Sequence, residues 1–203
     1  MRVLITGFGP FPGAPFNPSA ALAKALARRR RPALAGIERA THIFATTYAS
    51  VDRDLPKLFA QKPDIVLMFG VAGRRRQLCI ETRARNAVSL LFPDASGHRP
   101  LRGVIKLHGP ASRTGNAPFA RLAGAAGKQS RLSADAGRYL CNYVYWRALE
   151  QLRGNQPLVQ FIHIPLVGTR PRRQRRSKAP PTLVQLLKAA EAILIALIAA
   201  SRR

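Results

Sequence analysis

Three short apolar runs constrain this chain most. "RVLITGF" (2–8) and "DIVLMFG" (64–70) each stop on or beside a glycine, and "LVQFIHIP" (158–165) stops at a proline. Each is strand length, and each is apolar at both odd and even positions. That pattern belongs to strands buried on both faces, which form parallel sheets covered by helices. Helix-length segments separate them. An alanine-rich stretch follows Ser19, which can cap it, and runs to about Arg31. Residues 51–61 place Val51, Leu55 and Leu58/Phe59 on one face. Residues 136–152 and 182–201 are the other two clear helices. "THIFATT" (41–47) and "QLCIETRARNAVSLLF" (77–92) are further strand candidates, the second running on into an extension. Residues 93–134 carry Gly, Pro and Ser turns with a helical signal over 117–126. Strands alternating with helices, without internal repeat or linker, predict one α/β domain over 1–203 with a largely parallel sheet. Sites in such sheets gather where strands give way to loops. Gly7–Phe11, Gly70–Gly73, Glu81 and His163–Pro165 lie at or near those ends.

With 203 residues, 47% of them hydrophobic, the chain can bury a sizeable core. Two cysteines make no disulfide framework. "MRVLITGFGP" reaches glycine too soon for a signal peptide. The greasy stretch "AAEAILIALIAA" (189–200) is too short to span a membrane and carries Glu191. These features predict a cytoplasmic protein with reduced thiols and no membrane partner. The charge is unusual: 34 Lys and Arg against 9 Asp and Glu give +25. The basic residues cluster in "RRRR" (28–31), "RRR" (74–76) and "RPRRQRRSK" (170–178). Such a chain attracts polyanions. No aromatic residue lies inside these blocks to stack on bases, and no nucleic-acid-binding motif stands out. Nucleic acid is therefore expected only as a non-specific partner, the blocks being solvated loops and helix ends.

The glycine-bearing "GFGPFPG" (7–13) lacks the Gly-Lys-Ser/Thr ending of a phosphate loop, and its prolines remove N–H donors. Apolar walls from Phe8 and Phe11 suit it better. The four histidines are scattered and the cysteines unpaired, so no metal site is expected. Nucleophilic chemistry fits better. "SADAGRYLCNYVYW" (133–146) opens with helix-starting residues, Ser133 or Asp135 being the cap, and puts Cys141 in an early turn. The positive end of the helix dipole favours a thiolate there, and free N–H groups favour an oxyanion. Cys141 is equally readable as a small core residue beside Leu140 and Val144. His163 within "FIHIP" is either a hydrogen-bonded core residue or a base. Glu81 after "LCI" is either a buried carboxylate needing a partner or half of a surface ion pair. Together Glu81, Cys141 and His163 offer orienter, nucleophile and base.

Several segments agree with one family. "VLITGFGPFPGAPFNPS" (3–19), "KPDIVLMFGVAGRRRQLCIETRARN" (62–86), "SADAGRYLCNYVYW" (133–146) and "FIHIPLVG" (161–168) resemble, in order, the opening loop and the glutamate, cysteine and histidine blocks of pyroglutamyl peptidase type I. The resemblance covers nearly the whole chain. It implies a three-layer α/β/α sandwich around a twisted, largely parallel mixed sheet. It implies a cysteine peptidase that removes N-terminal pyroglutamate from peptides without metal or organic cofactor. By motif, Cys141 is the nucleophile, His163 the general base and Glu81 the residue that orients it. Phe8 and Phe11 match the phenylalanines set against the lactam ring, and Asn17 the asparagine of the "NPS" turn near that pocket. Many members form dimers or tetramers, so a homodimer or homotetramer is the implied assembly.

The chain also departs from the pattern. Leu91 in "LLFPD" stands where many members carry arginine, and "GRRRQ" (73–77) and the segment after the histidine block are more basic. Two other functions compete on these grounds. One is a catalytically weak peptidase-like scaffold that binds polyanions. The other is a related amidase with an altered N-terminal acyl preference.

Overall fold

The structure is a computed structural model, and it describes residues 1–11, 15–154, 156–167 and 180–202. The basic run 170–178 lies outside the described residues. A six-stranded sheet forms the middle layer. Its strands are β1 (Arg2–Phe8), β2 (Glu38–Phe44), β3 (Ile65–Val71), β4 (Leu78–Glu81), β7 (Ser130–Ser133) and β8 (Leu158–Ile164), in the order β2-β1-β3-β8-β4-β7. Neighbours are parallel except β4 and β8, which run antiparallel. A separate two-stranded ribbon pairs β5 (Arg83–Arg85) with β6 (Ser112–Thr114).

The period of two along each strand sorts side chains between two cores. Val3, Ile5, Ile65, Leu67, Phe69, Ile162 and Ile164 face α1 (Pro18–Ala27), α3 (Phe119–Ala126) and α5 (Leu183–Ser201). Leu4, Val66, Met68, Val159 and Phe161 face α2 (Tyr48–Ala60) and α4 (Leu140–Glu150). The result is the expected three-layer α/β/α sandwich with a mixed, mostly parallel sheet.

Several boundaries differ from expectation, each for a local reason. Asn17, not Ser19, caps α1 and accepts from the Ser19 N–H. That helix ends at Ala27, short of Arg31, whose backbone is extended directly before Pro32, and Arg29 and Arg31 turn to Glu191. The strand expected over 77–92 breaks after Glu81. Asn142 explains its new course: its side chain accepts from Arg85 N–H at 2.8 Å and donates to the carbonyls of Arg85 and Ala87 at 2.8 and 2.9 Å. Ser133 and Asp135 do not cap α4. Ser133 lies in β7, and Asp135 Oδ1 accepts from Gly137 N–H in a turn where Gly137 has φ +83°. The helix therefore starts at Leu140 rather than 136, with Tyr139 as a cap that makes no side-chain bond.

Helix α5 is longer than the greasy stretch suggests. It is long and apolar enough to cross a membrane by length and composition alone. Here it lies over the sheet, touching α1, α3, β3 and β8, with Leu186, Ile193, Leu194 and Leu197 buried. Its Glu191 is also buried and receives Arg29 Nε at 2.5 Å and Arg31 Nε at 2.6 Å. Part of one basic block is thus spent on a carboxylate of the core rather than displayed to solvent.

Candidate active site

Because β1, β3 and β8 are parallel, their carboxyl ends share one edge of the sheet. Three of the sequence-selected positions lie along it. Phe8 ends β1, Gly70 lies near the end of β3, and His163 pairs with Gly70 on β8. On the other side of β8, Cys79 pairs with His163 and Glu81 with Phe161. Parity places Cys79, Glu81, Gly70 and His163 on the face covered by α4. Cys141 is the second residue of that helix and is half-buried. Its thiol rests against Gly70: a Cβ there would lie 2.6 Å from Cys141 Sγ and 2.7 Å from the Phe161 ring. Glycine at 70 is what admits the sulfur.

His163 is nearly fully buried, and its Nδ1 lies 2.8 Å from Glu81 Oε1. With the Nδ1 proton donated to that carboxylate, Nε2 is the nitrogen left for Cys141. Burial alone pulls the His163 pKa down. The Cys141 charge, the hydrogen bond to Cys141, and the hydrogen bond and charge of Glu81 outweigh it and push the value up to about 9. Cys141 and Glu81 thus flank the ring, and both favour its protonated form. Phe161 closes the space beneath, its ring centroid 5.0 Å from that of His163.

Glu81 is fully buried, so it is not the surface ion pair that was its alternative. Its Oε1 also accepts from Arg75 Nη1 at 2.6 Å, while Oε2 has no partner among the described residues. Its backbone carbonyl accepts from Tyr145 Oη and from Gln160 Nε2, each at 3.0 Å.

The phenylalanine loop is built by hydrogen bonds. Asn17 Nδ2 donates to the Gly9 carbonyl at 2.9 Å, and its Oδ1 accepts from the Ser19 N–H and hydroxyl. Thr46 Oγ1 donates to the same Gly9 carbonyl at 3.0 Å. Asn17 thus shapes the loop with both ends of its amide. Phe8 is buried against Phe44, with centroids 5.8 Å apart, whereas Phe11 is 37% exposed. Leu91 is 75% exposed, its N–H held by the Ser89 hydroxyl. The Asp94 that follows accepts from Tyr48 N–H at the start of α2.

Arg75 and Asn142 escape a sequence reading, as does the reason for Gly70, whose place at a strand end is legible but whose contact with Cys141 is not. Arg75 is hidden by its identical neighbours. Asn142 gives a signal that could have been used, a polar residue immediately before the apolar "YVYW" (143–146) of a buried helix.

The same architecture is known. A family model described as pyroglutamyl peptidase matches residues 1–203. The chain belongs to the pyroglutamyl peptidase family. It is 32% identical over 169 residues to a pyrrolidone-carboxylate peptidase of Vibrio vulnificus, covering 82% of this chain and 79% of that one. It is 31% identical over 188 residues to the Bacillus subtilis pyrrolidone-carboxylate peptidase, covering 90% and 84%. Among solved structures, pyroglutamyl peptidase I of Bacillus amyloliquefaciens superposes with a TM-score of 0.80 at 28% identity, over 100% of this chain and 97% of that one. The pyrrolidone carboxyl peptidase of Thermococcus litoralis gives a TM-score of 0.86 at 24% identity, over 98% and 93%, a likeness of fold. This family member is accordingly a cysteine-type peptidase acting on N-terminal pyroglutamate.

Proposed function

We propose that Cys141, His163 and Glu81 perform the removal of N-terminal pyroglutamate, with Phe8 and Phe11 walling the lactam pocket and Asn17 holding the loop that presents them. The observation that carries this reading is the 2.8 Å contact between His163 and Glu81, on the face of the sheet where Cys141 Sγ rests against Gly70. Sulfur of the Cys141 thiolate forms a bond to the carbonyl carbon that joins pyroglutamate to the next residue. The carbonyl oxygen takes up negative charge at the start of α4, where first-turn N–H groups have no helical acceptor. Collapse breaks the C–N bond, and the His163 imidazolium gives its proton to the leaving amine. Water then attacks the thioester, His163 takes its proton, and pyroglutamate leaves while the thiolate is restored. Glu81 keeps Nδ1 protonated and the ring in place through both steps.

An apolar slot suits a lactam, which has no charged amine to recognise. The mechanism needs a free thiol, so the cytoplasm is the compartment we assign. A homodimer or homotetramer is part of the same proposal, checked by light scattering. The activity test is release of coumarin from a pyroglutamyl-coumarin amide. Cys141→Ala abolishes release in a protein that still folds, and Cys79→Ala retains it. Release that depends on Cys79 instead assigns the wrong thiol.

A further inference from the structure

The catalytic reading ends at Glu81, but the chain of charges does not. Of the three consecutive arginines at 74–76, the outer two are exposed and Arg75 turns inward, its side chain 20% exposed. Its position is fixed by backbone. Ala72 N–H donates to the carbonyl of Ile164, the residue after His163, at 2.9 Å, and Arg75 N–H donates to the carbonyl of Ala72 at 2.9 Å. From that turn Nη1 reaches Glu81 Oε1 at 2.6 Å and Ser133 Oγ at 2.9 Å, and Nη2 reaches the Asp135 carbonyl at 2.5 Å. Glu81 Oε1 is therefore shared between His163 and Arg75, while Oε2 finds no partner among the described residues.

We infer that Arg75 is a positioning residue for the reaction: it neutralises Glu81 and fixes the rotamer that lets the carboxylate hold His163. This rests on the triad reading above. A buried carboxylate needs a compensating cation even when no reaction is under way. Cys141 and His163 sharing one proton are neutral overall whichever of them holds it, so without Arg75 the Glu81 carboxylate leaves the buried cluster with an unmatched negative charge. A guanidinium fork held at three points also fixes direction, which a mobile lysine cannot do. The turn that carries Arg75 hangs from the residue after His163. The two partners of Glu81 are thus placed by the same end of β8.

The test measures kcat and KM on the pyroglutamyl-coumarin amide, with folding checked by circular dichroism. In Arg75→Ala, kcat falls about 10- to 100-fold and KM stays within about threefold, because Arg75 does not touch substrate. Free guanidinium, far below the concentrations that unfold the protein, restores part of that kcat. It restores nothing in Arg75→Ala/Glu81→Gln, where the carboxylate it pairs with is gone. A folded Arg75→Ala with kcat within about twofold of the parent overturns the inference, as does a loss confined to KM or a rescue that persists without Glu81. Should Arg75→Ala not fold, Arg75→Lys carries the test. It keeps the charge without the fork, so its kcat falls several-fold, and a parental kcat overturns the inference. Cys141→Ala in the same assay separates the two layers of argument. Residual turnover there defeats the triad reading, whereas a dead Cys141→Ala beside an unaffected Arg75→Ala defeats only the role of Arg75.

Discussion

Adding one methyl group at Gly70 tests the geometry of the site without changing the chemistry of any group that reacts. A Cβ at this position would lie 2.6 Å from Cys141 Sγ and 2.7 Å from Phe161 Cζ. Ordinary van der Waals separation begins near 3.5 Å, so the sulfur, the ring or both must move by roughly 1 Å. The backbone of β3 cannot yield easily, since β8 pairs with it through Gly70 and Val71 and β1 pairs with it up to Met68. A misplacement of about 1 Å at a reacting atom lowers rate by about 100-fold, equivalent to about 2.7 kcal/mol of transition-state stabilisation. Overpacking a well-filled site costs about 1–3 kcal/mol of stability, or a Tm lower by roughly 2–12 °C for a chain of this size. The assay pairs kcat/KM on the coumarin substrate with thermal unfolding followed by circular dichroism. Gly70→Ala is expected to stay folded at assay temperature and to lose about two orders of magnitude in kcat/KM. A folded Gly70→Ala within about twofold of the parent in kcat/KM refutes the placement of the sulfur over Gly70.

Two further outcomes follow from the ionic groups. Since Cys141 and Glu81 hold the His163 pKa up to about 9, above its ordinary 6.5, its protonated form is favoured in the folded state. Its contribution to stability is therefore complete below about pH 6.5 and is lost as pH rises through about 9. The kcat/KM profile loses activity on its alkaline side near that value, and Glu81→Gln moves this limb to lower pH; a limb unmoved by the substitution contradicts the assignment. At the opposite face, burial favours the neutral form of Glu191, but the hydrogen bonds and charges of Arg29 and Arg31 prevail and lower its pKa. That stabilisation is present above the ordinary glutamate range and is lost as pH falls through the depressed value. With both arginines partly exposed, Glu191→Gln costs about 1–2 kcal/mol at neutral pH, or roughly 2–8 °C in Tm. The difference between the two proteins should vanish in acid; a gap that persists there contradicts the ion-pair account.

The sheet was legible because strand-length runs apolar at both odd and even positions are a strong signal for strands buried on both faces, and parity then sorts the few polar residues among them. Leu78 and Ile80 alternate with Cys79 and Glu81, and Ile162 and Ile164 flank His163, so the polar residues had to share a face once the strands paired. Cys141 in the first turn of a helix was readable from the residues around it, although the turn at Asp135 and Gly137 delays that helix by four residues. Strand β7 was not readable. "SRLS" is four residues long and polar, and it becomes a strand only because β4 offers an edge to pair with. Nor could composition tell Arg75 from Arg74 and Arg76. Three equal charges in sequence become one partner of a buried carboxylate and two solvated side chains only after the loop is fixed to β8. The basic excess that pointed toward polyanions is partly such internal pairing, at Glu81 and at Glu191.

The central claim is that Cys141 is the atom source of the covalent intermediate. A pyroglutamyl chloromethyl ketone places an electrophilic carbon beside whichever nucleophile the pocket presents, and cleavage after the many arginines separates the peptides that carry Cys79 and Cys141. Mass mapping of the inactivated protein should find the adduct on Cys141 alone, in proportion to lost activity and suppressed by Gly70→Ala. An adduct on Cys79 that tracks inactivation, or inactivation with Cys141 unmodified, contradicts the account.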